Sequence, residues 1–500
     1  MAVGGPGAEG NGTRSPLKIV VNIFISFIGA GCLGLPFAFR QAGVLEGMLT
    51  MVVVSYFAVR AMLLIIECKY TILDRFATPE QRPLSRSQHS SEPILSKLSE
   101  ENLLSSDRQI LQKTENGVGH LFSRRKVFIP SDNMTYSEVG YFATGVSGAR
   151  LVDFAIIISQ IGFCCGYLIF ISENLNSYWP SVQKETWLAL VLPFMFFLTL
   201  YRELHGLAFF SLFAQISNLM AFAVVFWFDF QHITHAKKRI HPKEWSVQGF
   251  PFFFAVAIYC YEGAGMILSL EHSVARPVRH KFQRYFITVM LLLTMMYIAF
   301  GMCGYLSFGT QTNPIITLNL PPGTGVDFAM IVKLCLCFAL LFTYPVMMFP
   351  VTQLLERYLL ADRVINRNFY ENALRLCLVV TTGVIVVGIP SFADLMALIG
   401  ATCCTLLAFI LPGLFHLLLH RKSITRSAMI MDYWLIVFGI LGAIIGTWDT
   451  LKRMRSTAEV FEIPARAPTI DRQLTTTSFS NLTDIEAILG ATTSNHSSVG

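Results

Sequence analysis

The sequence predicts an all-α membrane protein of about eleven transmembrane helices, the first and sixth broken near mid-membrane. Three observations carry that reading. Hydrophobic residues make up 53% of the chain and charged residues 14%, with a mean hydropathy of +0.54, whereas soluble domains carry about 25% charged residues. Eleven stretches have the length and apolar character needed to cross a hydrocarbon core. Two of them, the first and the sixth, are interrupted at their centres.

The spans are expected at 18–40, 43–68, 149–172, 186–201, 207–228, 249–270, 286–308, 327–351, 373–389, 392–418 and 430–448, the fourth and ninth being short. The first is interrupted by Gly29-Ala30-Gly31-Cys32-Leu33-Gly34-Leu35-Pro36, and the sixth by Tyr259-Cys260-Tyr261-Glu262-Gly263-Ala264-Gly265. Unwound peptide groups have no water to bond inside a bilayer, so they persist only where protein buries them or a cavity hydrates them. There, freed amides can meet a carboxylate, and freed carbonyls a cation or ammonium group. A pair of broken spans is therefore the sequence sign of a secondary transporter's substrate site, here for a small polar molecule.

Other classes are excluded by context. The first break also spells G-x-G-x-x-G, but a dinucleotide fingerprint needs a preceding strand and an acid about 20 residues on. Its flanks are apolar helix, and the position 20 beyond Gly34 is Val54. The net charge of +6 does not indicate nucleic acid, because the basic residues lie in loops between apolar segments rather than on one folded face. The eleven cysteines lie in or beside apolar segments and read as buried packing residues, with no disulfide framework and no metal site. A polar leader ahead of a full-length apolar segment is not the pattern of a cleavable signal peptide. No cofactor and no enzymatic activity are expected.

Orientation follows from Lys and Arg. Arg75, Arg82, Arg86, Arg108, Arg124, Arg125, Lys126, Arg202, Arg276, Arg279, Lys281, Arg284, Arg357, Arg363, Arg367, Arg421, Lys422 and Arg426 fall on one side; Arg40 and Lys184 fall on the other. The loop 231–247, with Lys237, Lys238, Arg239 and Lys243, dissents and is outvoted. The chain then divides into a cytosolic leader (1–16), the first two spans (17–71), a cytosolic loop with a Ser-rich disordered insert (72–134), spans three to eleven (135–450) and a disordered tail (451–500) outside the cytosol. The insert at 77–119 has too few apolar residues to fold. It reads as a solvated linker or, through Ser85, Ser87, Ser90 and Ser91, as a phosphorylated regulatory segment. Asn481-Leu482-Thr483 and Asn495-His496-Ser497 fit the glycosylation pattern, which also occurs by chance in Ser/Thr-rich tails, and Asn133-Met134-Thr135 repeats it in the cytosolic loop. This topology predicts that a protease on the cytosolic face cuts within 77–119 and spares a tag placed after Gly500. Cleavage of both from one side would require an even number of spans.

Glu262 is the most informative single residue. An ionisable side chain at mid-depth is costly and marks an ion or substrate pathway; the alternative is a neutral acid that caps the loose amides of the break. Tyr259 and Tyr261 flank it and can offer hydroxyls, although aromatics in membrane helices usually pack. Thr343 sits beside Tyr344-Pro345, where proline frees a carbonyl. Asp153 and Arg60 read as paired or interfacial residues, and His232, His235 and His241 as a solvated loop face.

Four stretches together resemble the amino acid/auxin permease family: Gly29 to Phe39, Tyr261-Glu262-Gly263-Ala264-Gly265-Met266-Ile267-Leu268, Asn313-Pro314-Ile315-Ile316-Thr317-Leu318-Asn319-Leu320-Pro321, and Ile389-Pro390-Ser391-Phe392-Ala393-Asp394. The segments 159–171 and Gly446-Thr447-Trp448 look most like the plant vacuolar amino-acid transporters and the proton-coupled transporters of animals. The likeness covers 16–71 and 135–450. It implies a LeuT-type core, two inverted five-helix repeats with an added eleventh helix. It also implies that Gly29, Gly31, Cys32 and Gly34, with Tyr259, Tyr261 and Gly263, surround the α-amino and α-carboxyl groups of an amino acid. Glu262 is then the residue for proton coupling or gating, and Thr343 leaves a sodium site open. The implied partners are an amino acid, protons and the lipid bilayer. The implied membrane is vacuolar or lysosomal, with the plasma membrane second. An amino-acid sensor signalling through the cytosolic loop is the rival reading, separable because a pure sensor moves no substrate. A channel would need a polar ring lining a pore, and none is visible.

Overall fold

The computed structural model describes residues 12–76, 130–201, 204–235, 242–320, 328–360, 366–389, 391–421 and 424–462. The Ser-rich insert, Lys237, Lys238, Arg239, His241, Pro390 and the tail from 463 onward lie outside them, as do the side chains of His232 and His235. The described residues are helical apart from short connections and one isolated bridge, Thr13 with Val274. Two units divide the chain, Met1–Arg453 and Met454–Gly500.

Among the described residues, seven helices are long and apolar enough to cross a membrane: Val44–Phe76, Val146–Tyr178, Phe282–Gln311, Ala329–Leu359, Arg367–Gly388, Phe392–Leu419 and Arg426–Ser456. The pair Pro16–Phe27 and Ala30–Ala42, bent by 50° at its break, makes an eighth. The other three expected spans fall on Lys184–Thr199, on Leu204–His235, and on the interrupted pair Phe250–Cys260 and Ile267–His272. The eleventh helix runs on to Glu462, past the expected end at 448, because 449–462 contains neither proline nor glycine to stop it. The burial of these helices separates core from periphery: 78% of the tenth span's apolar window is buried inside the protein, against 22% for the eleventh. The eleventh turns Trp434, Val437, Leu441, Ile444 and Trp448 outward, as a lipid-facing helix does.

A short helix, Tyr136–Thr144, precedes the third span and was not expected from the sequence. Its start is a capping box: Glu138 N–H donates to the Thr135 hydroxyl at 3.3 Å, and Thr135 N–H donates to the Glu138 carboxylate at 2.8 Å. Thr135, the third residue of the Asn133-Met134-Thr135 pattern, is thus engaged as a helix cap. Charged clusters then tie the ends on the side that carries the basic loops. Lys69, with no exposed surface, lies 2.7 Å from Glu271 and 3.6 Å from Asp132. Arg279 reaches the same two carboxylates, and the Tyr70 hydroxyl donates to Glu271. A buried lysine is tolerable only because it is surrounded in this way. Burial pushes the Asp132 carboxyl up, but the hydrogen bond and charge of Arg279 outweigh that and hold it below the usual carboxylate range. The cluster joins the second span to the far half of the sixth, and Thr13 pairs its backbone with Ser273 and Ala275 on the same corner. A second polar clamp joins spans ten, eleven and two: His416 Nδ1 lies 2.5 Å from Asp432, and its Nε2 lies 3.4 Å from Glu67. Arg60, expected as paired or interfacial, bonds Glu67 at 3.1 Å.

Candidate functional site

The two breaks face each other across the centre of the molecule. Gly31 lies so close to the Tyr259 ring that a Cβ there would meet Cε1 at 2.8 Å. Gly263 stands in the same relation to Phe27, with a Cβ that would meet its ring at 2.3 Å. Each break therefore uses a glycine to admit an aromatic ring from the other span, and the glycines are required by close approach rather than by strained dihedrals. The Tyr297 hydroxyl, from the seventh span, donates at 2.7 Å to the carbonyl of Phe27 where the first helix unwinds. The Cys32 thiol donates to Gly29 O at 2.8 Å. These bonds occupy backbone acceptors that the breaks would otherwise leave orphaned in an apolar interior.

A cavity of about 310 Å³ lies between the breaks, within the size range of small-molecule sites. Two further walls are helix faces, and Thr135, Tyr136, Ser137, Asn218 and Tyr297 complete the lining. The third span contributes Asp153, Ile156, Gln160, Phe163 and Tyr167, and the eighth contributes Leu340, Thr343, Met347, Pro350, Leu354 and Arg357, both at the three- and four-residue steps of one helical stripe. Asp153 and Arg357 belong to the ends of those helices nearest the basic loops, so the cavity runs from the breaks toward that side. The opposite side is sealed. Phe163 packs edge-on against Tyr259 at 4.8 Å, the turn Ile316–Asn319 is anchored by Thr317 to Asn174 at 2.7 Å, and Arg40 donates to Thr312 O at 2.8 Å.

Of the residues expected to form the site, Gly29, Gly31, Cys32, Tyr259, Glu262 and Thr343 border this cavity, whereas Gly34, Tyr261 and Gly263 stand behind it. Gly34 packs on Met396 and Gly263 on Phe27. Tyr261 is 1% exposed, and its hydroxyl donates to Thr294 at 3.0 Å. Its polar end points into the second and seventh spans, where Ser55 and Thr294 share a further bond of 2.7 Å. The Thr343 hydroxyl donates to the Ala339 carbonyl one turn back at 2.8 Å. The Glu262 carboxylate lies beside the backbone amides of Gly265 and Ala264, while its Oε2 is buried with no hydrogen-bond partner. One side of this acid thus lies against the loosened amides of the break, and one oxygen has no partner.

Two features of the site escaped sequence reasoning. Gln160 sits on the lining stripe of the third span, and only the 153–156–160–163–167 spacing marks it. The tenth span is wound as π-helix over Gly400–Cys404 and Leu406–Ile410, opposite the sixth. There Thr405 donates to Gly400 O five residues back at 2.7 Å, and Tyr136 donates to Leu407 O at 3.1 Å. Such wide turns gather at functional sites, and the mid-span cluster of small and polar residues 400–405 was the available signal.

Comparison with known proteins agrees with this geometry. In its fold, the chain is similar to a solved structure described as the inward-facing conformation of Mhp1, with a TM-score of 0.52 over 92% of this chain and 95% of that one at 11% identity. With the two broken spans, that makes the fold LeuT-type. In sequence it is similar to two Arabidopsis thaliana proteins, amino acid transporter AVT3C and amino acid transporter ANT1. The identity is 31% over 90% of this chain and 93% of the former, and 28% over 88% of this chain and 93% of the latter. The profile of the family described as transmembrane amino acid transporter protein matches residues 12–79 and 120–452, which take in both breaks and every wall of the cavity, and the chain belongs to that family.

Proposed function

We propose that this protein is a secondary active transporter that moves amino acids across a membrane by alternating access, with proton coupling. The observation that carries the reading is the cavity bounded by two broken spans, reached from one side and sealed on the other. Gly29, Gly31, Cys32 and Tyr259 border the place where an amino acid's charged ends meet unwound backbone, as paired broken helices do in such carriers. Glu262 is the coupling residue: it is the acid of the break, it borders the cavity, and one of its oxygens is uncommitted. Sodium is the competing ion, with Thr343 as a candidate ligand. The likeness of the sequence to plant vacuolar transporters supports a vacuolar or lysosomal membrane, where a proton gradient is available to drive transport.

Purified protein in proteoliposomes tests the proposal. Uptake of a radiolabelled amino acid is expected, and an imposed pH gradient should raise its accumulation in sodium-free medium. Accumulation that follows a sodium gradient and ignores pH would replace the proton with sodium. Binding without flux would turn the transporter into a sensor.

A further inference from the structure

We propose that Gln160 is a substrate-contacting residue, its amide oxygen accepting a hydrogen bond from the ammonium group of the transported amino acid. The inference rests on the amino-acid transport reading and adds to it a recognition group on the third span. Several polar groups around the cavity are used internally: the hydroxyls of Tyr297 and Thr343 and the thiol of Cys32 each donate to a backbone carbonyl. Three residues that border it each carry a side-chain oxygen buried without a partner, namely Gln160 Oε1, Glu262 Oε2 and Asp153 Oδ1. Each costs the desolvation of an unmade hydrogen bond unless something in the cavity supplies a donor.

Packing places Gln160 at the level of the sixth-span break. On the same helix face, Phe163 meets Tyr259 at the start of the break, and a Cβ on Gly265, at its far end, would touch Ile156 at 3.8 Å. Gln160 lies between them, opposite Glu262. Asp153 is seven residues further along, about 10 Å at 1.5 Å per residue, with Tyr358 donating to its other oxygen at 2.5 Å, so it belongs to the mouth. Orphan acceptors select a ligand rich in donors. Among the parts of an amino acid, the ammonium group has three N–H bonds and no acceptor, whereas a carboxylate offers acceptors only. A bare hard cation asks for about six oxygens, against the two unpartnered side-chain oxygens, Gln160 Oε1 and Glu262 Oε2, at this level. The neutrality of Gln160 also matters: unlike Glu262, it presents the same acceptor whether or not a proton is bound nearby.

The test uses full-length protein and measures thermal stabilisation by each of the twenty standard amino acids. The strongest binder is then compared with its des-amino carboxylic acid, in the unmodified protein and in Gln160→Leu and Gln160→Glu. The unmodified protein should prefer the amino acid. Gln160→Leu should lose about 10- to 100-fold of that preference, the usual worth of a hydrogen bond to a charged group, and Gln160→Glu, which keeps an acceptor, should retain it. In uptake, the loss in Gln160→Leu should appear in KM rather than kcat. Equal weakening of both ligands would mean that Gln160 only packs, and an unchanged preference would remove the contact; either overturns the proposal. A change in sodium dependence with the preference intact would assign the oxygen to a cation and also overturn it. Failure of the unmodified protein to bind any of the twenty would overturn the transport reading itself, a result distinct from loss of this contact alone.

Discussion

Gly31→Leu and Gly263→Leu are each expected to reduce amino-acid uptake by about 10²-fold or more while the protein still reaches the membrane. The size of the effect follows from where the new side chains go. A Cβ at position 31 would stand 2.8 Å from the Tyr259 ring, and one at 263 would stand 2.3 Å from the Phe27 ring, distances at which a ring must move. Tyr259 and Phe27 both border the cavity, so displaced rings enter the space that the substrate needs. A misplacement of about 1 Å at a binding site can cost about 10²-fold in rate, and leucine adds a full side chain beyond that. Membrane insertion should survive, because apolar length rather than cavity shape sets it. Gly388→Ala is the control, since a Cβ there meets nothing within 4 Å. Uptake near normal in either leucine variant, at matched amounts of membrane-inserted protein, would mean that the interlocked breaks do not form the substrate site.

The parts of this molecule that the sequence revealed are those governed by local rules. Apolar length located the spans, and glycine with proline at mid-span located the break at 29–36, because a membrane helix loses its regularity only where something else satisfies its backbone. The direction in which side chains point was less accessible. Tyr261 and Tyr259 look equivalent in sequence, two residues apart in one break. Once the chain turns there, one hydroxyl is committed to Thr294 and the other ring borders the cavity. Gly263 likewise belongs to the break, yet it stands behind the cavity, against the Phe27 ring. The charged corner around Lys69 could not be read, because Lys69, Asp132, Glu271 and Arg279 come from distant segments, and each looks like an ordinary loop or helix-end charge. Gln160 was hidden for a related reason. A single amide in an apolar helix gains meaning only from the helix opposite.

Glu262→Gln is expected to abolish the acceleration of net uptake by a proton gradient while leaving substrate binding and substrate-for-substrate exchange close to normal. The structure makes this substitution discriminating. The acid lies beside the amides of Gly265 and Ala264, and a glutamine carbonyl can face them as the carboxylate does, so any capping of the break should survive. What glutamine lacks is a removable proton. An ionised carboxylate at this depth is costly to maintain, and a group that must bind and release a proton in each cycle is one reason for a chain to bear that cost. Exchange does not require the empty carrier to return, so it should persist when the proton step is lost, whereas net flux should no longer respond to the gradient. Glu262→Ala separates the remaining possibility. If the acid serves only as a cap, glutamine should behave like the unmodified protein and alanine should lose folding or binding, because the amides of 264 and 265 then have no acceptor. If the acid couples transport to protons, glutamine alone should already uncouple it. Flux in Glu262→Gln that rises with an imposed proton gradient as steeply as in the unmodified protein would end the coupling assignment and leave Glu262 as the acceptor that holds the sixth span's break in shape.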